Sequence, residues 1–369
     1  MMKKILLPLL ALIILLLVIL TLPLFKAAGP AVVYFRLILL LLTLVISLCL
    51  FKAAFIDRRI PRWIANIATV LFSLFILFLV LEAVFMFIPR SHSADYALAS
   101  KLWYSRYWKP VNSLGFRDQE PDNHRPVVLF VGDSFTAGHG LKSVNDRFSD
   151  IVGNELSRQT KPYSAVNIGR PSLDSRAEYD MMMGFIYLTR IKPRKIILQY
   201  FGNDIEGAAA DHGLIFEGFR PPEDMNRFLL WIGSGSYFFN YVYFLFPREY
   251  LGLSYILYLT EAYKNDRILK RHQDDLMLFV DYARQNAIEL MVVMFPFLAD
   301  PVMSDTMYVK EMTRFFEANG IPVIRVSELI RNMPVKDRIV NQNDTHASAA
   351  LNRVIAREIL KKLNEGMDQ

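Results

Sequence analysis

Ser134 follows an apolar run at 127–131 and two turn residues, Gly132 and Asp133. A serine hydroxyl is a poor nucleophile until a base removes its proton, and an imidazole base works best when a carboxylate fixes its tautomer. The stretch Asn343-Asp344-Thr345-His346 offers both partners, His346 as base and Asp344 as orienting carboxylate. Acyl transfer also needs donors aimed at the developing oxyanion, and losing one costs roughly a hundred- to thousand-fold in rate. The Asn203 amide, in Gly202-Asn203-Asp204, and the Ser134 backbone N–H supply two. The backbone N–H of Ser172 or of Gly169, in Asn167-Ile168-Gly169-Arg170-Pro171-Ser172, supplies a third. Plainer roles stay open: Asp133 and Ser134 as turn formers, Asn203 as a turn residue, Asp344 as a helix cap and His346 as a surface histidine. His139, nearer to Ser134 in sequence, reads as a rim residue. The other histidines have no metal-ligand spacing, and the chain has no His-Glu-x-x-His motif and no phosphate-binding loop, so no metal or organic cofactor is implied. The absence of a Gly-x-Ser-x-Gly elbow argues against an α/β-hydrolase fold.

These clusters need a scaffold that brings them together. Short apolar, β-branched runs at 127–131, 164–168, 195–200, 289–295 and 322–326 alternate with helical patterns near 146–159, 174–190, 265–287, 306–319 and 347–364. Strands that are apolar on both faces suit a parallel sheet covered by helices on both sides. Ligands of such sheets bind at the carboxyl ends of the strands. Three of the clusters follow predicted strands and the fourth precedes the last helix, so the topology gathers them at one end of the sheet.

With these blocks in order, the sequence resembles the SGNH (GDSL-like) hydrolase superfamily over residues 126–369. Gly132-Asp133-Ser134 resembles its first block, the turn from Asn167 to Ser172 its second, Gly202-Asn203-Asp204 its third and Asp344-Thr345-His346 its last. Asn112-Ser113-Leu114-Gly115-Phe116-Arg117 resembles the lead-in of membrane-linked bacterial members. The resemblance implies a flavodoxin-like three-layer α/β/α sandwich with esterase, lipase, thioesterase or carbohydrate O-deacetylase chemistry. Two positions depart from the pattern: Ser172 stands where the second block ends in glycine, and Asn343 where the commonest last block has its aspartate. Asp344 stands only two residues before His346, a spacing that also occurs in the superfamily.

Composition points to a second part. The chain is 53% hydrophobic yet 21% charged, with mean hydropathy +0.25. The single cysteine, Cys49, rules out a disulfide framework. Residues 1–92 carry nine Lys/Arg against Asp57 and Glu82, whereas the remainder is net −1, so the basic excess belongs to the apolar segment and implies no nucleic-acid partner. Apolar stretches at 5–25, 31–51 and 64–88 are long enough for membrane spans, which need about 20 helical residues; the first is too long for a signal-peptide core. Lys3-Lys4 and the basic loop 52–63 place the N-terminus in the cytoplasm and everything after Arg90 outside. Arg36 and Glu82 lie at similar depth, able either to pair or to snorkel separately to the interface. An aromatic stretch at 228–246 reads as a helical hairpin packed on the sheet, or as a lid or membrane-facing surface over the site.

The expected organisation is a three-span anchor (1–91), a connector (92–125) and a hydrolase domain (126–369) with an insertion at about 205–262. The expected protein is a multi-pass inner-membrane serine esterase with a periplasmic catalytic domain. It acts on O-acyl esters of cell-envelope carbohydrate or lipid. An O-acyltransferase using the same acyl-enzyme, and a catalytically silent envelope binding or assembly protein, remain alternatives.

Overall fold

The computed structural model describes residues 13, 16, 19, 30–55, 62–93, 97–218, 226–246 and 249–365. Most of the first expected span, much of the loops flanking the second, and Arg220-Pro221-Pro222 lie outside them. In chain order, α1 (Pro30–Phe55), α2 (Arg62–Phe85) and α3 (Leu98–Tyr107) precede β1 (Val127–Val131), α4 (Ser134–Ala137), α5 (Phe148–Leu156), β2 (Ser164–Asn167) and α6 (Ser175–Thr189). Next come β3 (Lys195–Tyr200), α7 (Glu206–Asp211), α8 (Arg227–Gly235), α9 (Tyr237–Leu245), α10 (Glu249–Lys264), α11 (Asp266–Gln285) and β4 (Glu289–Met294). They are followed by α12 (Lys310–Ala318), β5 (Val323–Arg325), β6 (Ile339–Asn341), β7 (Asp344–Ala347) and α13 (Ala349–Glu365).

Contacts divide the chain into two compact units. One comprises 91–93, 104–218 and 247–369 and holds a five-stranded sheet in the order β2-β1-β3-β4-β5, with every pairing parallel. This is the flavodoxin-like doubly wound order, with ligand sites at the carboxyl strand ends. Alternation along the strands explains the layers. Leu129, Leu198 and Val292 enter a core with α6, α10, α11 and α12, whereas Phe130, Ile197 and Val293 enter a second core with α5 and α13. Each fully buried large side chain contributes about 1.5–3 kcal/mol, which is why the central strands are unbroken apolar runs. The expected strands match those found to within two residues. The antiparallel pair β6–β7 was not anticipated; strands of three and four residues are too short to display a period.

The other unit comprises 1–90, 94–103 and 219–246. Here α8 and α9 form the expected helical hairpin, which packs on α1 and α2 of the same unit. Trp231 meets Phe35 edge-on with ring centroids 5.8 Å apart, and Tyr241 meets Phe85 at 4.7 Å. Arg36 and Glu82, both without exposed surface, pair at 2.7 Å instead of reaching separately for an interface. Glu82 also accepts hydrogen bonds from Ser236 Oγ (2.6 Å) and from the backbone N–H groups of Tyr237 (2.7 Å) and Phe238 (3.0 Å). A buried carboxylate needs such donors, and the first turn of a helix has N–H groups to spare. Side chains are described for 32–46 of α1 and for 63, 66, 67 and 69–85 of α2, and among the described residues no helix is long and apolar enough to cross a membrane.

Phe279 of α11 lies fully buried in the first core and packs edge-on against Tyr179. Phe279→Ala should cost about 3–5 kcal/mol, read as a lower thermal unfolding midpoint of the full chain.

Candidate active site

The turn that carries Ser134 is fixed by its neighbours. A Cβ at Gly132 would collide with the Gln199 side chain and Thr136 Oγ1, so only glycine lets the chain leave β1 here. Gln199 Oε1 accepts from Asp133 N and Thr136 Oγ1, each at 3.0 Å. Asp133 caps α4 by accepting from Phe135 N (2.8 Å), and Gly138, at φ +73°, closes the helix in the left-handed region. Ser134 is thereby the first residue of α4, where backbone N–H groups have no acceptor inside the helix. Asn167 Nδ2 holds the turn from the β2 side through Thr136 O (2.7 Å).

The lead-in motif has a physical reason. Asn112 Oδ1 accepts from Leu114 N (3.1 Å) and Phe116 N (3.0 Å) in a turn that needs Gly115 at φ +84°. This delivers Arg117, buried, to the carbonyls of Gly138 (2.5 Å) and Leu141 (2.7 Å). Burial, and then the nearby Arg147, lower the Arg117 pKa to about 10, so it stays charged at neutral pH. Arg117 thus straps the chain just beyond Ser134.

Asp344 and His346 lie on β7, where residues two apart point to the same face of the strand. This is why a spacing of two serves. His346 Nε2 is 2.8 Å from Ser134 Oγ, and its Nδ1 is 2.6 Å from Asp344 Oδ1. The structure therefore joins the three expected residues into one hydrogen-bonded chain. Asp344 is not the cap of the last helix; Ser348 is, its Oγ accepting from Leu351 N at 3.1 Å. Asn343 instead donates its N–H to Asn341 Oδ1 in the β6–β7 turn. Burial works against the charged form of His346, but the Asp344 carboxylate outweighs it and raises the imidazole pKa. Burial likewise opposes charge on Asp344, yet His346 holds that carboxyl below its usual range.

His139 is not a rim residue. It is buried, with its ring centroid 4.4 Å from that of His346 and its Nε2 3.6 Å from Asp344 Oδ2. Its Nδ1 lies 2.9 Å from Tyr104 Oη and its Nε2 3.2 Å from His92 O. Those partners suit one neutral tautomer, with Nε2–H donating to His92 O and Nδ1 accepting from Tyr104. Burial, and then His346, push its pKa down to about 4, so its contact with Asp344 is polar and not ionic. No sequence spacing points to His139; only the return of β7 beside α4 does. His139, Asp344 and His346 each offer a ligand atom within 4.8 Å of the others. A cation held there would compete with the Ser134–His346–Asp344 chain for the same atoms.

The oxyanion donors divide. The Gly169 N–H is not a spare donor, because it is committed to Asn167 Oδ1 at 2.9 Å. The residue is glycine for a steric reason, since a Cβ would strike the backbone of Thr136 and Ala137. Ser172 is exposed, holds the left-handed φ of +65°, and its N–H has no acceptor among the described residues. Of the two, only the Ser172 N–H is uncommitted among the described residues. Asn203, half-buried after β3, is one of the groups that counter the effect of burial on the Asp133 carboxyl, whose pKa stays raised.

Two measurements follow from this geometry. His346 must be neutral to accept the Ser134 proton, so activity falls as pH drops through its pKa. With that pKa raised above the ordinary 6.5, the acid limb of kcat/KM should centre above pH 6.5. Asp344→Asn should move the limb to lower pH and cut kcat by about ten-thousand-fold; an unmoved limb would contradict the assignment. Asn203→Ala should lower kcat by about a hundred- to a thousand-fold with little change in KM, as measured by ester hydrolysis.

No protein-family model and no curated protein sequence matches the chain. Solved structures do. The chain is similar to the psychrotrophic esterase EstA from a Pseudoalteromonas species at 12% identity and TM-score 0.40, over 67% of this chain and 100% of that one. It is similar to a putative lipolytic G-D-S-L family protein from Desulfitobacterium hafniense at 12% identity and TM-score 0.38, over 63% and 99%. It is also similar to AlinE4, an SGNH-hydrolase family esterase, at 15% identity and TM-score 0.36, over 67% and 97%. The structures that this chain resembles thus include esterases and lipolytic proteins of the GDSL, or SGNH, type.

Proposed function

We propose that the chain is an SGNH-type serine esterase that cleaves O-acyl esters through an acyl-enzyme on Ser134. The observation that carries this reading is the unbroken chain from Ser134 Oγ through His346 to Asp344. His346 Nε2 takes the hydroxyl proton as Oγ attacks the ester carbonyl carbon, and the carbonyl oxygen gains the negative charge. The N–H groups of Ser134 and Ser172 and the Asn203 amide stabilise that oxyanion. When the tetrahedral intermediate collapses, the ester C–O bond breaks and His346 gives its proton to the departing alcohol. Water then repeats the sequence on the acyl-enzyme, releasing the acid and restoring Ser134. Asp344 holds the Nδ1–H tautomer throughout and stabilises the transient imidazolium.

The same reading anchors the chain in a bacterial inner membrane by three spans, with the N-terminus cytoplasmic and the hydrolase domain periplasmic. Its support is the charge pattern of residues 1–92 and the 26- and 24-residue backbone helices α1 and α2. Apolar side chains such as Leu41 and Leu71 on those helices are more than half exposed. An enzyme so placed meets acylated carbohydrate and lipid of the cell envelope, and these are the proposed substrates.

The test is release of p-nitrophenol from acetyl, butyryl and longer esters by the full chain in detergent, beside Ser134→Ala. Turnover that disappears in the variant is the expected result, and its chain-length profile separates an acetyl pocket from a lipid pocket. Turnover that persists in Ser134→Ala would overturn the serine mechanism.

A further inference from the structure

The hairpin of α8 and α9 is built inside-out. Asn226–Phe246 holds a single charged residue, Arg227. Beyond Asn226 and Arg227, its exposed positions are apolar: Phe228 (63% exposed), Leu229, Trp231, Phe239 and Phe246 (67%) among them. Its buried polar side chains, Ser236 and Asn240, are matched within the protein. Buried Asn240 donates to Gly233 O (2.7 Å) and accepts from Leu98 N (2.7 Å), and buried Ser236 donates to Glu82. Glu82, paired with Arg36, also takes the free N–H groups at the start of α9. In water a helical hairpin turns its polar groups outward, whereas in hydrocarbon every polar group must be satisfied within the protein. In the same unit, α1 and α2, on which the hairpin packs, likewise expose apolar side chains, among them Leu41, Val70 and Leu71.

We propose that α8 and α9 form a lipid-immersed hairpin, pinned by Glu82 and facing the acyl chains of the bilayer that surrounds α1 and α2. The hairpin is then a membrane element supplied from within the hydrolase sequence, and not a water-facing lid. This inference rests on the anchored reading given above.

The full chain, carrying Cys49→Ala, is reconstituted into phosphatidylethanolamine–phosphatidylglycerol vesicles with a nitroxide at Phe228→Cys, Leu71→Cys or Tyr187→Cys. Collision with oxygen is compared with collision with a water-soluble nickel chelate. Oxygen should dominate at Phe228 and Leu71, and nickel at the exposed Tyr187 of α6. Nickel access at Phe228 with Leu71 still shielded would overturn the inference and leave the anchor standing. Nickel access at both would overturn the anchor as well. Brominated lipids test the same point without cysteines: they should quench the unlabelled chain more than Trp231→Phe, and equal quenching would contradict the hairpin's immersion.

Discussion

A carboxylate without exposed surface must be matched by donors, and at Asp344 that requirement organises the site. Oδ1 receives both the backbone N–H of His346 and its Nδ1–H. Breaking such a buried pair by removing one partner costs about 3–5 kcal/mol, so the imidazole is committed to the tautomer with Nδ1 protonated. Its Nε2 is then an acceptor, and the Ser134 hydroxyl is the group placed to use it. The direction of the Ser134–His346 hydrogen bond thus follows from where one negative charge is buried. His139 completes the enclosure on the Oδ2 side while remaining neutral, which shields the carboxylate without cancelling it.

The rest of the unit that holds the five-stranded sheet keeps two distant segments in register for that contact. β7 presents Asp344 and His346 on one face, and the β1 turn presents Ser134. The turn is held by Gln199 from β3, Asn167 from β2 and Arg117 from the lead-in. Three parts of the chain far apart in sequence therefore converge on one four-residue helix. The other unit obeys the same rule at Glu82, whose buried charge is matched by Arg36 and by the start of α9.

The sequence was most legible where a period or a block could be counted. The five parallel strands and the helices between them are apolar runs and amphipathic patterns of ordinary length, and the four polar blocks sit at strand or helix edges. It was least legible where the decisive partner is remote. His139 has no spacing that marks it, and its role depends on β7 returning beside α4. The Gly169 N–H is committed to Asn167 Oδ1, a bond that no residue pattern encodes. The aromatic stretch at 228–246 was readable as a hairpin, but its partner was not, because Glu82 lies about 150 residues away in sequence and acts through backbone N–H groups.

The central claim is that Ser134 is the nucleophile and that His346 activates it. The most direct measurement is the rate of phosphonylation by a fluorophosphonate as a function of pH, with the adduct mapped by mass spectrometry. A single adduct on Ser134, formed more slowly as His346 becomes protonated and nearly abolished by His346→Ala, is the predicted result. An adduct on another residue, or a rate on Ser134 indifferent to pH and to His346→Ala, would contradict it.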